Sequence, residues 1–173
     1  MLNRREFMAA SALAGASLAA GCKSGSRTRY RFLSDQDADT LTAICDQMIP
    51  ADEFPSASQA GVLTYIDLQL TRHYRRHQQA YLDGLEQANL LSRKEFGVDL
   101  AAASPQQQFA IVLAVEKQNP RFFDLVRSHT MQGYYGSPRH GGNRDAVSWR
   151  MLGLAEPPVR GRAQYDLTAG RKP

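Results

Sequence analysis

The sequence predicts an all-α domain of about five to six short helices, followed by a glycine-rich C-terminal loop and an irregular tail. Three observations carry that reading. Apolar residues recur at intervals of three and four, not two. Two helix starts place proline at the first helical position, at Ser104-Pro105 and Asn119-Pro120. Valine-rich alternating runs of the kind a sheet needs are missing from the chain.

Order is expected to begin near Phe32. Ser34 and Asp37 make a capping-box-like start, with the shorter Asp in place of Glu, and Leu33 is placed to act as a hydrophobic staple. Ala38, Leu41, Ile44, Cys45 and Met48 then follow at helical spacing until Pro50 stops the helix. Residues 50–58, PADEFPSAS, are a loop. A second helix from about Ser58 to Thr71 has Val62, Tyr65, Ile66 and Leu70 on its apolar side. A third, from about Arg72 to Phe96, turns Tyr74, Tyr81, Leu82, Leu85, Ala88 and Leu91 inward. No breaker separates these two, so their continuity stays open. The fourth begins at Ser104-Pro105 with Gln107 and runs through Phe109, Val112, Leu113 and Glu116. The fifth begins at Asn119-Pro120 and runs through Phe122, Phe123, Val126 and His129.

After Thr130 the texture changes. Residues 131–143, MQGYYGSPRHGGN, hold four glycines, a proline and two tyrosines, a run not expected to form regular helix. A positive φ is expected at Gly141 or Gly142. A short helix over Arg144–Leu152 should end at Gly153. The tail, residues 155–173, is rich in Pro, Arg and Gly, with Tyr165 and Leu167 as its few core-type residues.

The N-terminus carries an address. Arg4 and Arg5 precede Phe7, and Ala9–Ala20 are uncharged and weakly apolar, which is the layout of a secretory signal. That core is about a dozen residues long, against roughly 20 for a spanning helix. The arginine pair marks the twin-arginine route, which carries folded cargo. Leu18-Ala19-Ala20-Gly21-Cys22 resembles a lipobox, with Ala19 where Leu or Val is commoner. Cleavage would leave an acylated Cys22 first in the mature chain, on the periplasmic side of a membrane. The segments are therefore a twin-arginine signal over 1–21, a lipidated tether over 22–31, a helical domain over 32–154 and the tail.

Loss of residues 1–21 removes Arg4, Arg5 and Glu6, leaving 19 basic and 16 acidic side chains, a formal charge of +3. That charge is too small and scattered to argue for nucleic acid. An acylated Cys22 could not pair with Cys45, which reads as a small buried thiol. A Cys-x-x-Cys-His haem motif and a Gly-x-Gly-x-x-Gly dinucleotide motif are both missing, and the glycine run lacks the Gly-Lys-Ser/Thr of a phosphate loop. No cofactor or metal is therefore expected in this chain. His73 and His77 have i, i+4 spacing but sit in HYRRH without acidic neighbours, so a solvated face is the favoured reading. His129 reads as a hydrogen-bonded packing histidine. Asp52, Glu53 and Asp67 could serve as acid and base, yet nothing in the sequence brings them together.

Met48-Ile49-Pro50-Ala51-Asp52, Gly61-Val62 and Tyr65-Ile66-Asp67 form one set of motifs. Gly133–Asp145 and Trp149-Arg150-Met151-Leu152-Gly153 form another, more specific one. Together they resemble the gluconate 2-dehydrogenase subunit 3 family over roughly residues 31–154, with His140 standing where an aromatic such as Tyr is commoner. The resemblance implies a non-catalytic small subunit of a membrane-associated, FAD-dependent sugar or polyol dehydrogenase. Its implied partner is a flavoprotein of the glucose-methanol-choline type, exported in complex with this chain, and a cytochrome c subunit bearing haem often completes such complexes. No catalytic residue carries over. Tyr134, Tyr135, Arg139, His140, Asn143, Arg144 and Trp149 are the expected partner contacts, because aromatic and Arg side chains suit interface cores. A stand-alone lipoprotein with its own enzymatic or metal-binding activity is the competing class, and it predicts activity in the isolated chain.

Overall fold

The computed structural model describes residues 29–154. Arg4, Arg5, Cys22, Tyr165 and Leu167 lie outside the described residues, as do the signal and the tail. Within the described residues the chain forms six α-helices and no strand. These are α1 (Asp35–Met48), α2 (Val62–Leu70), α3 (Gln78–Phe96), α4 (Pro105–Gln118), α5 (Pro120–Tyr135) and α6 (Val147–Met151), joined by loops and short 3-10 turns.

The local chemistry sets most helix starts. At α1 the Ser34 hydroxyl accepts from the Asp37 amide while the Asp37 carboxylate accepts from the Ser34 amide, so Asp completes the box that Glu usually fills. Ser104 and Gln107 make the same reciprocal pair at α4, and Asn119 caps α5 through the Phe122 amide. One hydrophobic core joins α1 to α5. Leu41, Cys45, Ile66, Leu70, Leu85 and Val126 are fully buried in it. Buried Asn89 ties three elements together: its amide donates to Thr40 Oγ1 on α1, and its carbonyl accepts from the Leu100 amide.

Several expected boundaries move. α2 begins at Val62 rather than Ser58, because Ala57–Gly61 wind into hydrogen-bonded turns and Gly61 takes a left-handed φ of 84°. α2 and α3 are separate. The Tyr74 amide returns to the Gln69 carbonyl and the Gln78 side chain caps the Leu70 carbonyl, so the chain reverses over residues 71–77 before α3 starts at Gln78. Leu82, expected inside, is exposed, while Gly84, Asn89 and Ser92 are buried on α3. On α4, Ile111, Val112 and Val115 face the core and Phe109 and Leu113 face solvent. α5 runs five residues into the glycine-rich stretch, to Tyr135, because the helix needs a glycine there. A Cβ on Gly133 would lie 2.9 Å from the Tyr65 ring of α2.

Asp67 on α2 is 3% exposed and takes part in none of the ion pairs among the described residues. Its carboxylate accepts the amides of Arg31 (2.7 Å), Phe32 (2.8 Å) and Leu33 (3.0 Å). Tyr30 and Arg31, inside the segment assigned to the tether, are thus already held to the domain, and Tyr30 and Phe32 pack against the core.

Candidate docking surface

The C-terminal half of α5, the loop after it and α6 form one locked unit. The chain leaves α5 at Gly136. Asn143, with no exposed surface, then bridges the two ends of the loop: its Nδ2 donates to the Gly136 carbonyl at 2.8 Å, and its Oδ1 accepts the Ser148 amide at 3.0 Å. The Arg144 amide donates to the Ala60 carbonyl at 2.8 Å, fastening the loop to the start of α2. Gly141 has the expected positive φ, 96°, and sits over Thr64 and Leu68. Gly142 does not, but its α-carbon rests on the α5 backbone, where a Cβ would be 2.1 Å from the Gly133 carbonyl oxygen.

The backbone here is strained. Asn143, Asp145 and Ala146 all take positive φ, at 44°, 56° and 52°, and they are the non-glycine residues that do so among those described. Each such residue costs on the order of 1 kcal/mol and persists where the surroundings over-determine it, a pattern that clusters at functional sites. The strain also restricts the expected 144–152 helix: only Val147–Met151 is regular α-helix, with Gly153 at φ 67° beyond it.

The locked frame separates the expected contact residues into two groups. Tyr134 and Asn143 are corrected to the interior. Tyr134 is 2% exposed, and its hydroxyl donates to the Pro55 carbonyl at 2.8 Å, so both residues shape the surface from beneath. Tyr135, Arg139, His140 and Arg144 are exposed, and Trp149 is half-buried with its Nε1 donating to the Tyr135 carbonyl at 2.9 Å. Met131, one turn before Tyr135, is also exposed, as are Leu152 and Leu154. None of the three is among the expected contacts; for Met131 the reason is that the 131–143 run reads as irregular, whereas it lies on α5. Extending the helical period through Gly133 would have set Met131 and Tyr135 on one face.

The other titratable residues do different work. His73 and His77 share no helix face, since His73 lies in the 71–74 turn and His77 in a 3-10 turn. Among the described residues no group of three or more His, Cys, Asp or Glu side chains is placed to hold a metal. The Cys45 thiol is buried, lies 3.3 Å from the Thr130 hydroxyl and is pushed up to about 12 by burial. Asp67 acts as a latch, its carboxylate holding the Arg31, Phe32 and Leu33 amides, and no hydrogen bond among the described residues joins it to Asp52 or Glu53.

His129 is a packing histidine. Tyr74 stacks on it at 4.0 Å, and its Nδ1 lies 2.9 Å from the Tyr81 hydroxyl. Burial first, then the nearby charges of His77 and Arg76, lower it to about 4. An unfolded histidine titrates near 6.5. Between those values the unfolded chain binds a proton that the folded one refuses, so this contribution is complete above about pH 6.5 and is lost as pH falls toward 4. Urea unfolding at pH 7 and pH 4.5 should therefore show about 2–3 kcal/mol more acid loss in the native chain than in His129→Phe. Equal acid loss in both would remove His129 from that role.

A family model described as Gluconate 2-dehydrogenase subunit 3 matches residues 35–155. The curated proteins and the solved structures gave no match.

Proposed function

Because the chain belongs to the gluconate 2-dehydrogenase subunit 3 family, we propose that it is the non-catalytic small subunit of a periplasmic, FAD-dependent sugar or polyol dehydrogenase. In this reading it binds a glucose-methanol-choline-type flavoprotein and accompanies it through the twin-arginine route. FAD belongs to that partner, and haem to a cytochrome c subunit where one is present. Acylated Cys22 holds the assembly on the periplasmic side of a membrane.

The observation that carries the docking part is the strained, glycine-packed loop. It keeps Tyr135, Arg139 and Arg144 exposed, with Trp149 bonded to the Tyr135 carbonyl, on a backbone held at positive φ at Asn143, Asp145 and Ala146. Aromatic and Arg side chains carry most of the energy at interface hot spots, about 2 kcal/mol or more each when truncated. Tyr135→Ala and Arg144→Ala should each weaken flavoprotein capture by roughly 30-fold while circular dichroism stays unchanged. Unchanged capture by folded variants would take this surface out of the interface.

Export should depend on the arginine pair. Arg4→Lys with Arg5→Lys should leave both this chain and its flavoprotein in the cytoplasm, as fractionation would show. Normal periplasmic levels of the pair in that double variant would contradict the escort role.

A further inference from the structure

A cleft opens where the docking loop meets the start of α2 and the outer side of α1. Arg29, Asp39, Gln59, Gly61, Thr64 and Arg144 are among the residues that line it. Both of its cations are held by the surrounding fold. The Arg144 amide donates to the Ala60 carbonyl, and the Arg144 guanidinium lies against Gly61, where a Cβ would be 3.8 Å from Nη2. That Cβ would also be 3.2 Å from the Gly141 carbonyl oxygen, so α2, the loop and Arg144 meet at one point. Arg29 lies 5.6 Å over the Tyr30 ring, Tyr30 packs against the core, and the next residue, Arg31, is held by Asp67.

The ion pairs among the described residues use Arg93 with Glu86 and Asp99, and Arg127 with Asp124, so Arg29, Asp39 and Arg144 enter none of them. Asp46, farther along α1, is occupied by Ser58: its carboxylate accepts the amide at 2.8 Å and the hydroxyl at 2.7 Å. Two guanidinium groups therefore stand against one carboxylate, a surplus of one positive charge in the cleft. Arg144 belongs both to this cleft and to the exposed residues of the docking loop, so the two are one continuous surface.

We propose that this cleft receives an acidic side chain of the flavoprotein, an Asp or Glu carboxylate bound by Arg29 and Arg144. The proposal rests on the docking reading, and it adds Arg29 to the interface and a sign to the partner's charge. A partner's side chain is favoured over a free anion because Arg29, Asp39, Gln59, Thr64 and Arg144 are all exposed. Ion pairs left in water contribute little, and Asp39 repels a small anion diffusing in. A docked protein excludes that water, which strengthens the pairing. The planar guanidinium fork matches a carboxylate in shape as well as in charge.

The test uses the full mature chain, tagged at its C-terminus and captured from its own cells, with bound flavin as the readout and circular dichroism as the check on fold. Arg29→Gln/Arg144→Gln should weaken capture on the order of 30- to 100-fold at low salt. The gap to the native chain should narrow at high salt, where charge pairing is screened. Asp39→Asn, which removes the competing carboxylate, should strengthen capture about threefold. Lys94→Gln/Lys117→Gln, which removes charge from α3 and α4, should change it little. Arg29→Lys/Arg144→Lys keeps the charge and supplies amines. Carbodiimide should then join position 29 or 144 to an Asp or Glu of the flavoprotein, as mass spectrometry of the peptides would show. Unaltered capture by the double Gln variant, an equal loss in the Lys94/Lys117 variant, weaker capture by Asp39→Asn, or no cross-link at either position would overturn the proposal and leave the subunit reading standing. A native chain that captures no flavoprotein would overturn both.

Discussion

Replacing Asp67 with alanine is expected to destabilise the domain by about 3–4 kcal/mol, the largest loss from a single polar side chain here. Three amides converge on this carboxylate at 2.7–3.0 Å, and one of them, at Leu33, is fully buried. Hydrogen bonds to charged groups contribute about 1.5–3 kcal/mol each, although water can reach the Arg31 amide and reduce its share. Without the carboxylate, the segment before α1 loses its attachment to α2 and Leu33 leaves the core. The melting temperature should drop by about 10 °C, read by circular dichroism. Asp67→Asn keeps the shape but turns an amide group toward donors, so most of the loss should remain. A drop below about 1 kcal/mol in both variants would show that the latch contributes little.

Gly142→Ala should act on the loop and spare the core. Its added methyl would meet the Gly133 carbonyl oxygen at 2.1 Å, its carbon at 2.8 Å and its α-carbon at 3.0 Å, all of them α5 backbone. No rotamer relieves such a contact, so the loop must lift. Lifting breaks the Asn143 bridge and the Arg144–Ala60 bond. A local cost of about 2–3 kcal/mol follows. Flavoprotein capture should fall by at least about 30-fold with helix content unchanged, because the exposed residues lose their common frame. Gly97→Ala is the control: Gly97 has φ 77° and open space around it, so the cost should be about 1 kcal/mol with capture intact. Equal capture by both variants would separate the loop's geometry from docking.

The helices were legible where local chemistry sets them. Ser34–Asp37, Ser104-Pro105-Gln107 and Asn119-Pro120 state their own starts, and α1, α4 and α5 begin where those residues place them. What the sequence concealed depends on long-range contacts. Gly133 reads as a helix breaker until Tyr65 of α2 is brought against it. The break between α2 and α3 has no breaker residue, because the Thr71 and Gln78 side chains and the Tyr74 amide produce it. Asp67 reads as a surface acid or a catalytic candidate, since its partners are amides 34 to 36 positions away. Within the candidate surface the residue types were visible, but their directions were not. Tyr134 and Tyr135 are adjacent in sequence, and helical geometry sends one inward to Pro55 and the other to solvent.

Capture of a flavoprotein tests the proposed role without intermediaries. The mature chain, tagged at its C-terminus and produced at native level in its own cells, is purified under gentle conditions and its eluate assayed for flavin. One large yellow protein that releases FAD should co-purify in stoichiometric amount, and dehydrogenase activity on a sugar or polyol should accompany it. A folded chain that elutes alone and free of flavin would contradict the proposal that it is a dehydrogenase subunit.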